Sequence, residues 1–236
     1  MTKTENLNLP LVQASQAQKH VTVNEAFALL DGLCQMTLES LSISQPPITA
    51  IDGQAWGVPV GASAEWATEQ GKLAVFCNGG WLFVSPQAGW RGWVKDMSQP
   101  VLHDGSTWVA AGVALSPNGA ATLIDVIEFD LDLTPGTNVT SAAIIPASSV
   151  VFGVTGRVLQ AISGSLTSWR LGVASSSNRY GSGLGIAEGS TAMGLTGQPL
   201  AYYVDTALSL EAEGGAFTSG QIRLAVHLLR LGIPRR

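Results

Sequence analysis

Leu73-Ala74-Val75-Phe76-Cys77-Asn78-Gly79-Gly80-Trp81-Leu82-Phe83-Val84 is the stretch on which the fold class turns. Two apolar runs flank Asn78-Gly79, and Asn-Gly supplies the positive φ that a tight hairpin turn requires. The stretch therefore predicts an antiparallel hairpin. The same pattern of short apolar runs broken by Gly, Asn and Asp extends from Ile48 to Val109. A rhythm runs through it: Asp52-Gly53 before Trp56, Asn78-Gly79-Gly80 before Trp81, and Asp104-Gly105 before Trp108. Trp56, Trp66, Trp81, Trp90, Trp93 and Trp108 all fall in this part, which reads as a small Trp-rich β module.

Upstream, Asn24 is placed as a helix N-cap with Glu25 in the first turn, where the helix dipole favours a carboxylate. Phe27, Leu30 and Cys34 recur at helical spacing, and Val23, Ala26, Leu29 and Leu33 widen the stripe. The pattern predicts a helix to about Leu38, before Pro46-Pro47 forbids continuation. Residues 13–20, ahead of it, are polar and small, an arm or a short helix. Downstream, Ala110–Gly119 is rich in turn formers and small residues and marks a boundary. Beyond it Ile127, Phe129, Leu131 and Leu133 alternate with Glu128, Asp130 and Asp132, the period of a half-buried strand with an acidic outer face. Further strands are predicted at 143–145, 150–154, 157–162, 167–173, 200–204, 207–212 and 221–231. The chain is thus read as mainly β. An N-terminal arm and helix (1–40) and a small Trp-rich β module (41–115) are followed by a C-terminal β-sandwich of jelly-roll type (116–236).

Of the 236 residues, 12% are charged, about half the usual share, while mean hydropathy is +0.26 and no apolar run reaches the roughly 18 residues of a membrane helix. Little charge is available to repel a neighbouring copy. A homo-oligomer is expected, a trimer first and a pentamer next. The net charge of −5 and scattered Lys and Arg argue against nucleic acid. The first residues lack a basic segment followed by an apolar run, so synthesis in the cytoplasm is expected. Cys34 and Cys77 read as small core residues without a disulfide.

Gln16-Ala17-Gln18-Lys19-His20-Val21-Thr22-Val23-Asn24-Glu25-Ala26 resembles DUF2793, a family of alphaproteobacteria, their phages and gene transfer agents. The similarity continues through residues 88–93 and 104–108. Thr167–Val173, Asn178–Gly185, Gly197–Tyr203, Glu213–Gly215 and Arg223–His227 resemble the C-terminal part of some of these proteins. The resemblance implies a spike or fibre component on the surface of a phage-like particle. It also implies contacts to other particle proteins and to cell-surface polysaccharide, with no catalytic residues to carry over.

A sugar-binding surface joins an exposed aromatic face to planar polar groups. Trp169, Asn178, Arg179, Tyr180, Tyr202 and Asp205, with Tyr203 beside them, offer that chemistry. The competing reading puts Trp169 and one tyrosine in the core, since adjacent residues of a strand face opposite ways. Packing is also the better reading for the tryptophans of the first part. Phe27, Leu30, Trp90, Arg91 and Trp93 are the candidate interface residues. His20, His103 and His227 lack metal-ligand spacing, and the alternating acids read as a solvated face and not a calcium site, so neither metal nor cofactor is expected. No Gly-x-Ser-x-Gly elbow occurs, and an adhesive or purely connecting role is expected over an enzyme. A capsule depolymerase built on paired carboxylates is the third reading.

Overall fold

The computed structural model describes residues 3–7, 9–12 and 19–235, and the chain divides after Pro117 into two units. The first unit carries helix α1 (Lys19–Leu33) and strands β1 (Thr37–Leu38), β2 (Ala55–Gly57), β3 (Leu73–Cys77), β4 (Gly80–Val84), β5 (Arg91–Val94), β6 (Gln99–His103), β7 (Trp108–Ala110) and β8 (Gly112–Leu115). The predicted hairpin is β3–β4, paired from Leu73↔Val84 to Cys77↔Gly80, and its turn has positive φ at both Asn78 (51°) and Gly79 (73°). β2 adds to β3, making an antiparallel sheet β2-β3-β4. A second sheet runs β1-β5-β6-β7, with β1 parallel to β5.

Alternation along β3 sends its residues to two separate cores. Leu73 and Val75 join Met36, Leu38, Ala55, Val94 and Val101, drawn from both sheets. Ala74 faces Trp56, Val58, Ala62 and Trp66, with Phe76, Trp81 and Phe83 against them. The rings of Trp56, Trp66 and Trp81 meet at centroid distances of 5.1–6.2 Å, and Phe76 meets Trp81 edge-on. Packing is therefore the role of these tryptophans.

The helix departs from its predicted place. Residues 13–18 lie outside the described residues, and α1 already begins at Lys19, so Asn24 is interior to it. The Asn24 side chain does not cap; it accepts from Val12 N–H (2.8 Å) and donates to Val12 O (3.0 Å), tying the N-terminal segment to the helix. The helix stops at Leu33, and Gln35 turns the chain with φ 54° into β1 instead of continuing to Leu38. The expected apolar stripe is packed only in part: Phe27, Leu29 and Leu33 are half-buried, Leu33 against the first of these cores, while Val23, Ala26, Leu30 and Cys34 are exposed and Asp31 and Gly32 are buried. Gly32 lets the helix approach β3, since a Cβ there would stand 2.9 Å from Val75 Cγ1. Cys34 and Cys77 are both free, the first exposed and the second half-buried, so neither is a core residue.

The second unit carries β9 (Ala121–Asp132), β10 (Asn138–Thr140), β11 (Ser149–Gly164), β12 (Ser168–Val173), β13 (Ser176–Leu184), β14 (Thr191–Tyr202), β15 (Ser209–Glu213) and β16 (Phe217–Gly232). Two antiparallel sheets form, β14-β11-β16-β9 and β10-β15-β12-β13. Counted from 1 at β9, these strands read 6-3-8-1 and 2-7-4-5, an interleaved order that does not contradict the expected jelly roll. The inner faces share one core, with Val151, Val154, Val158, Ile222, Leu224, Val226 and Leu228 from the first sheet and Val139, Trp169, Leu171, Val173, Tyr180 and Leu210 from the second. The strands predicted at 150–154 and 157–162 are one strand, β11, bulged between Val151 and Gly153. The stretch 143–145 contributes only a bridge, Ile145↔Thr206. β13 was not predicted as a strand: the glycine-rich run it enters reads as turn, and Gly181 and Gly183 do hold positive φ.

Candidate interaction surfaces

Three of the six residues proposed to face a glycan are interior. Trp169 and Tyr180 are each 2% exposed and Tyr202 is also buried, so none has a ring face free to stack on a sugar. The reason lies in pairing. β12 is flanked by β13 and β15, so Trp169 points into the sandwich, where its Nε1 donates to Gly185 O (3.0 Å). Tyr180 and Tyr202 join their hydroxyls at 2.7 Å, and burial, together with the Tyr202 hydroxyl, pushes the Tyr180 phenol well above the ordinary tyrosine range. Asn178 and Asp205 are exposed and Arg179 half-buried, with Arg179 Nε enclosed and unpartnered among the described residues. Asp205 accepts from Ala147 N–H (2.7 Å), and Tyr203, on the opposite face from Tyr202, is open to solvent.

In the first unit the candidate interface residues separate. Trp90 packs on the core with Leu82 and Val84. Trp93, on the outward phase of β5, is 46% exposed and lines a groove of about 440 Å³ with Gln35, Met36, Thr37, Arg91 and Gly92. Gly92 lets Met36 pack closely on β5, since a Cβ there would stand 3.2 Å from Met36 O. Leu30 is exposed on α1 and Phe27 half-buried.

A larger cleft of about 490 Å³ lies between the N-terminal segment, α1 and the β3–β4 hairpin, lined by Glu5, Glu25, Asp31, Asp52, Phe76 and Cys77 among others. Asp31 is committed within it: its carboxylate accepts from Thr4 Oγ1 (2.6 Å), Asn6 N–H (2.8 Å) and Leu7 N–H. Burial and then the Asp52 carboxylate push the Cys77 thiol above its ordinary range, which disfavours the nucleophilic thiolate. His103 is buried edge-on to Trp108 and accepts from Gly105 N–H at Nδ1 (3.2 Å), the arrangement of a structural histidine. His227 shares a hydrogen bond with Thr155 Oγ1 (3.0 Å), and the side chain of His20 lies outside the described residues. No group of three or more His, Cys, Asp or Glu among the described residues is placed to hold a metal ion.

Residues 23–109 match the family model of DUF2793, described as a protein of unknown function. This stretch is similar to DUF2793. It takes in α1 from Val23 onward and the strands through Val109 of β7, and so includes both first-unit cores and the Trp93 groove. No curated protein matches the chain. Among solved structures, a chain of the cyanophage Pam1 capsid asymmetric unit is similar at 22% identity and a TM-score of 0.36, over 50% of this chain and 92% of that one.

Outside residues 23–109, the structure exposes a surface that pattern reading misses. On the outward face of the β14-β11-β16-β9 sheet stand Met193 and Leu195 from β14 (75% and 78% exposed) and Ile124 and Val126 from β9 (47% and 50%). The acids read as the outer face of β9 follow on the same face, and Asp130 takes both oxygens to Arg223 (2.6 and 2.8 Å). The available signal was in β14, where Ala192 and Gly194 alternate with Met193 and Leu195: the small residues point inward and the large ones out. Gly194 is required there, since a Cβ would stand 2.3 Å from Tyr180 O.

Proposed function

We propose that the chain is a structural and adhesive component of a phage-like particle, carried on its surface, which contacts other particle proteins and host cell-surface polysaccharide without chemistry. The observation that carries the adhesive part is Trp93, the exposed member of the seven tryptophans, which lines an open groove together with Arg91. An aromatic face next to planar donors is the chemistry that grips a pyranose ring. Asn178 and Asp205 are exposed in the second unit and Arg179 is half-buried, without the aromatic partners first assigned to them. The particle context comes from the DUF2793 resemblance, and the low charge of a mainly β chain fits assembly into a larger body.

Several carboxylates are committed to neighbouring donors. Glu69, held by Lys72, Asp130, held by Arg223, and Glu213, held by Ser168, the Gly183 amide and Arg170, are all pushed below the ordinary carboxylate range. The burial of Trp169, Tyr180 and Tyr202 favours a second reading, a connector with no affinity for glycan. Incubating the purified chain with capsular polysaccharide from alphaproteobacteria, and reading both retention and polymer length, separates these. Retention at unchanged length, lost in Trp93→Ala and Arg91→Ala, is expected. Shortening of the polymer would make the protein a depolymerase, and absence of retention would leave the connector.

A further inference from the structure

We propose that the outer face of the β14-β11-β16-β9 sheet is the surface through which copies of this chain associate. The inference deepens the assembly part of the proposed function and needs nothing from the adhesive part. Met193 and Leu195 form an apolar ridge along one edge of the face, and Ile124 and Val126 form another along β9. Between them the face is low. The row at Leu195 crosses Gly153 and His227 to reach Val126, and the row at Met193 crosses Thr155 and Ala225 to reach Glu128. Gly153, Thr155 and Ala225 form a shallow strip beside the ridge, with the His227 ring held on Thr155 at one end of it, so that, shifted by one or two strands, the β14 ridge of one copy lies against this strip of another.

Size and charge point to the same occupant. Four strands spaced ~4.8 Å apart and twelve residues rising ~3.3 Å each give a face of roughly 750 Å², against the ~800 Å² per partner of a standard stable interface. The far end of the face carries both signs: Glu128, Asp130 and Asp132 on β9, and Arg157 on β11, which makes no ion pair among the described residues. A second copy supplies an acid for Arg157, whereas Asp130 is already held by Arg223 and Asp132 by the Gln221 amide. An anionic membrane or a nucleic acid would meet the three β9 acids unfavourably.

The test is the mass of the purified full-length chain by analytical ultracentrifugation, with Met193→Glu/Leu195→Glu, Val126→Glu, and a control, Asn178→Glu, on the other sheet. The expected result is an oligomer for wild type and control, and a monomer with unchanged circular dichroism for both ridge variants. A wild-type monomer at high concentration, or ridge variants that keep the wild-type mass, would overturn the proposal. Peroxide oxidation of the wild-type protein supplies a measurement that no folding defect can confuse. Met193 should oxidise several-fold more slowly when concentrated than when dilute, relative to Met97, which is exposed in the first unit. Equal dependence of the two methionines on concentration would count against the interface. A monomer that is still retained on polysaccharide would sink this inference and leave the proposed function standing.

Discussion

The two units reach a packed interior by different means. In the first, strands of two to five residues pair over short distances, and two small cores lie on the opposite faces of β3. Side chains do much of the tying: the Trp56–Trp66–Trp81 cluster, and Asp31 gripping the segment from Thr4 to Leu7. In the second, strands of 12 to 16 residues run through one sheet, and a single core fills the space between two sheets. Short strands cannot exclude water on their own and need aromatic edges and buried polar clasps. Long strands satisfy their own backbone and leave side chains free to be apolar on one face and available for contact on the other.

The largest break in that contrast should come from the second unit's core. Trp169→Ala is expected to cost about 3–5 kcal/mol, because the cavity lies where both sheets meet. Urea unfolding followed by far-UV circular dichroism checks it; a loss below ~1 kcal/mol would mean the core is not continuous. In the first unit, Asp31→Ala should cost about 2–3 kcal/mol by leaving the Thr4 hydroxyl and two amides without their acceptor. Limited proteolysis should then cut ahead of α1, and an unchanged cleavage pattern would deny Asp31 its role as a clasp. Smaller still, Tyr180→Phe should cost about 1 kcal/mol through the lost bond to Tyr202, with the sandwich otherwise intact by near-UV circular dichroism.

The smallest effect sharpens the contrast through pH. Burial holds the folded-state pKa of His103 below the ordinary histidine value of about 6.5, outweighing the opposing pull of the Gln87 backbone and Asp104. The unfolded chain therefore binds the proton more readily. Stability from the neutral ring is complete above about pH 6.5 and declines as pH falls through the folded value. Thermal unfolding of the wild type at about pH 7.5 and about pH 5.5 should show this decline, and His103→Gln should flatten it.

Much of the fold was legible locally. The Asn78-Gly79 hairpin needs only the turn's demand for positive φ, and the β9 alternation only the period of a pleated strand. The helix was displaced because Asn24 carries the chemistry of a cap, and nothing local shows that Val12 would claim its side chain. Of the site residues, Trp93, Arg91, Asn178 and Asp205 are exposed as read, whereas Trp169, Tyr180 and Tyr202 are not. An aromatic in a strand faces a ligand or a core according to which sheet lies behind it, and that depends on partners far along the chain.

By itself the sequence determined the β class, the turns, the low charge and the residue types available for contact, because these follow from the conformational preferences and hydration of single residues and near neighbours. Only the tertiary structure decided which face of each strand is dry. Pairing β11 with β14 and β16, and β12 with β13 and β15, buried the tyrosines and left Met193 and Leu195 in water. Burial is a property of surfaces brought together, and apart from the local β12–β13 hairpin the partners of these strands lie tens of residues away.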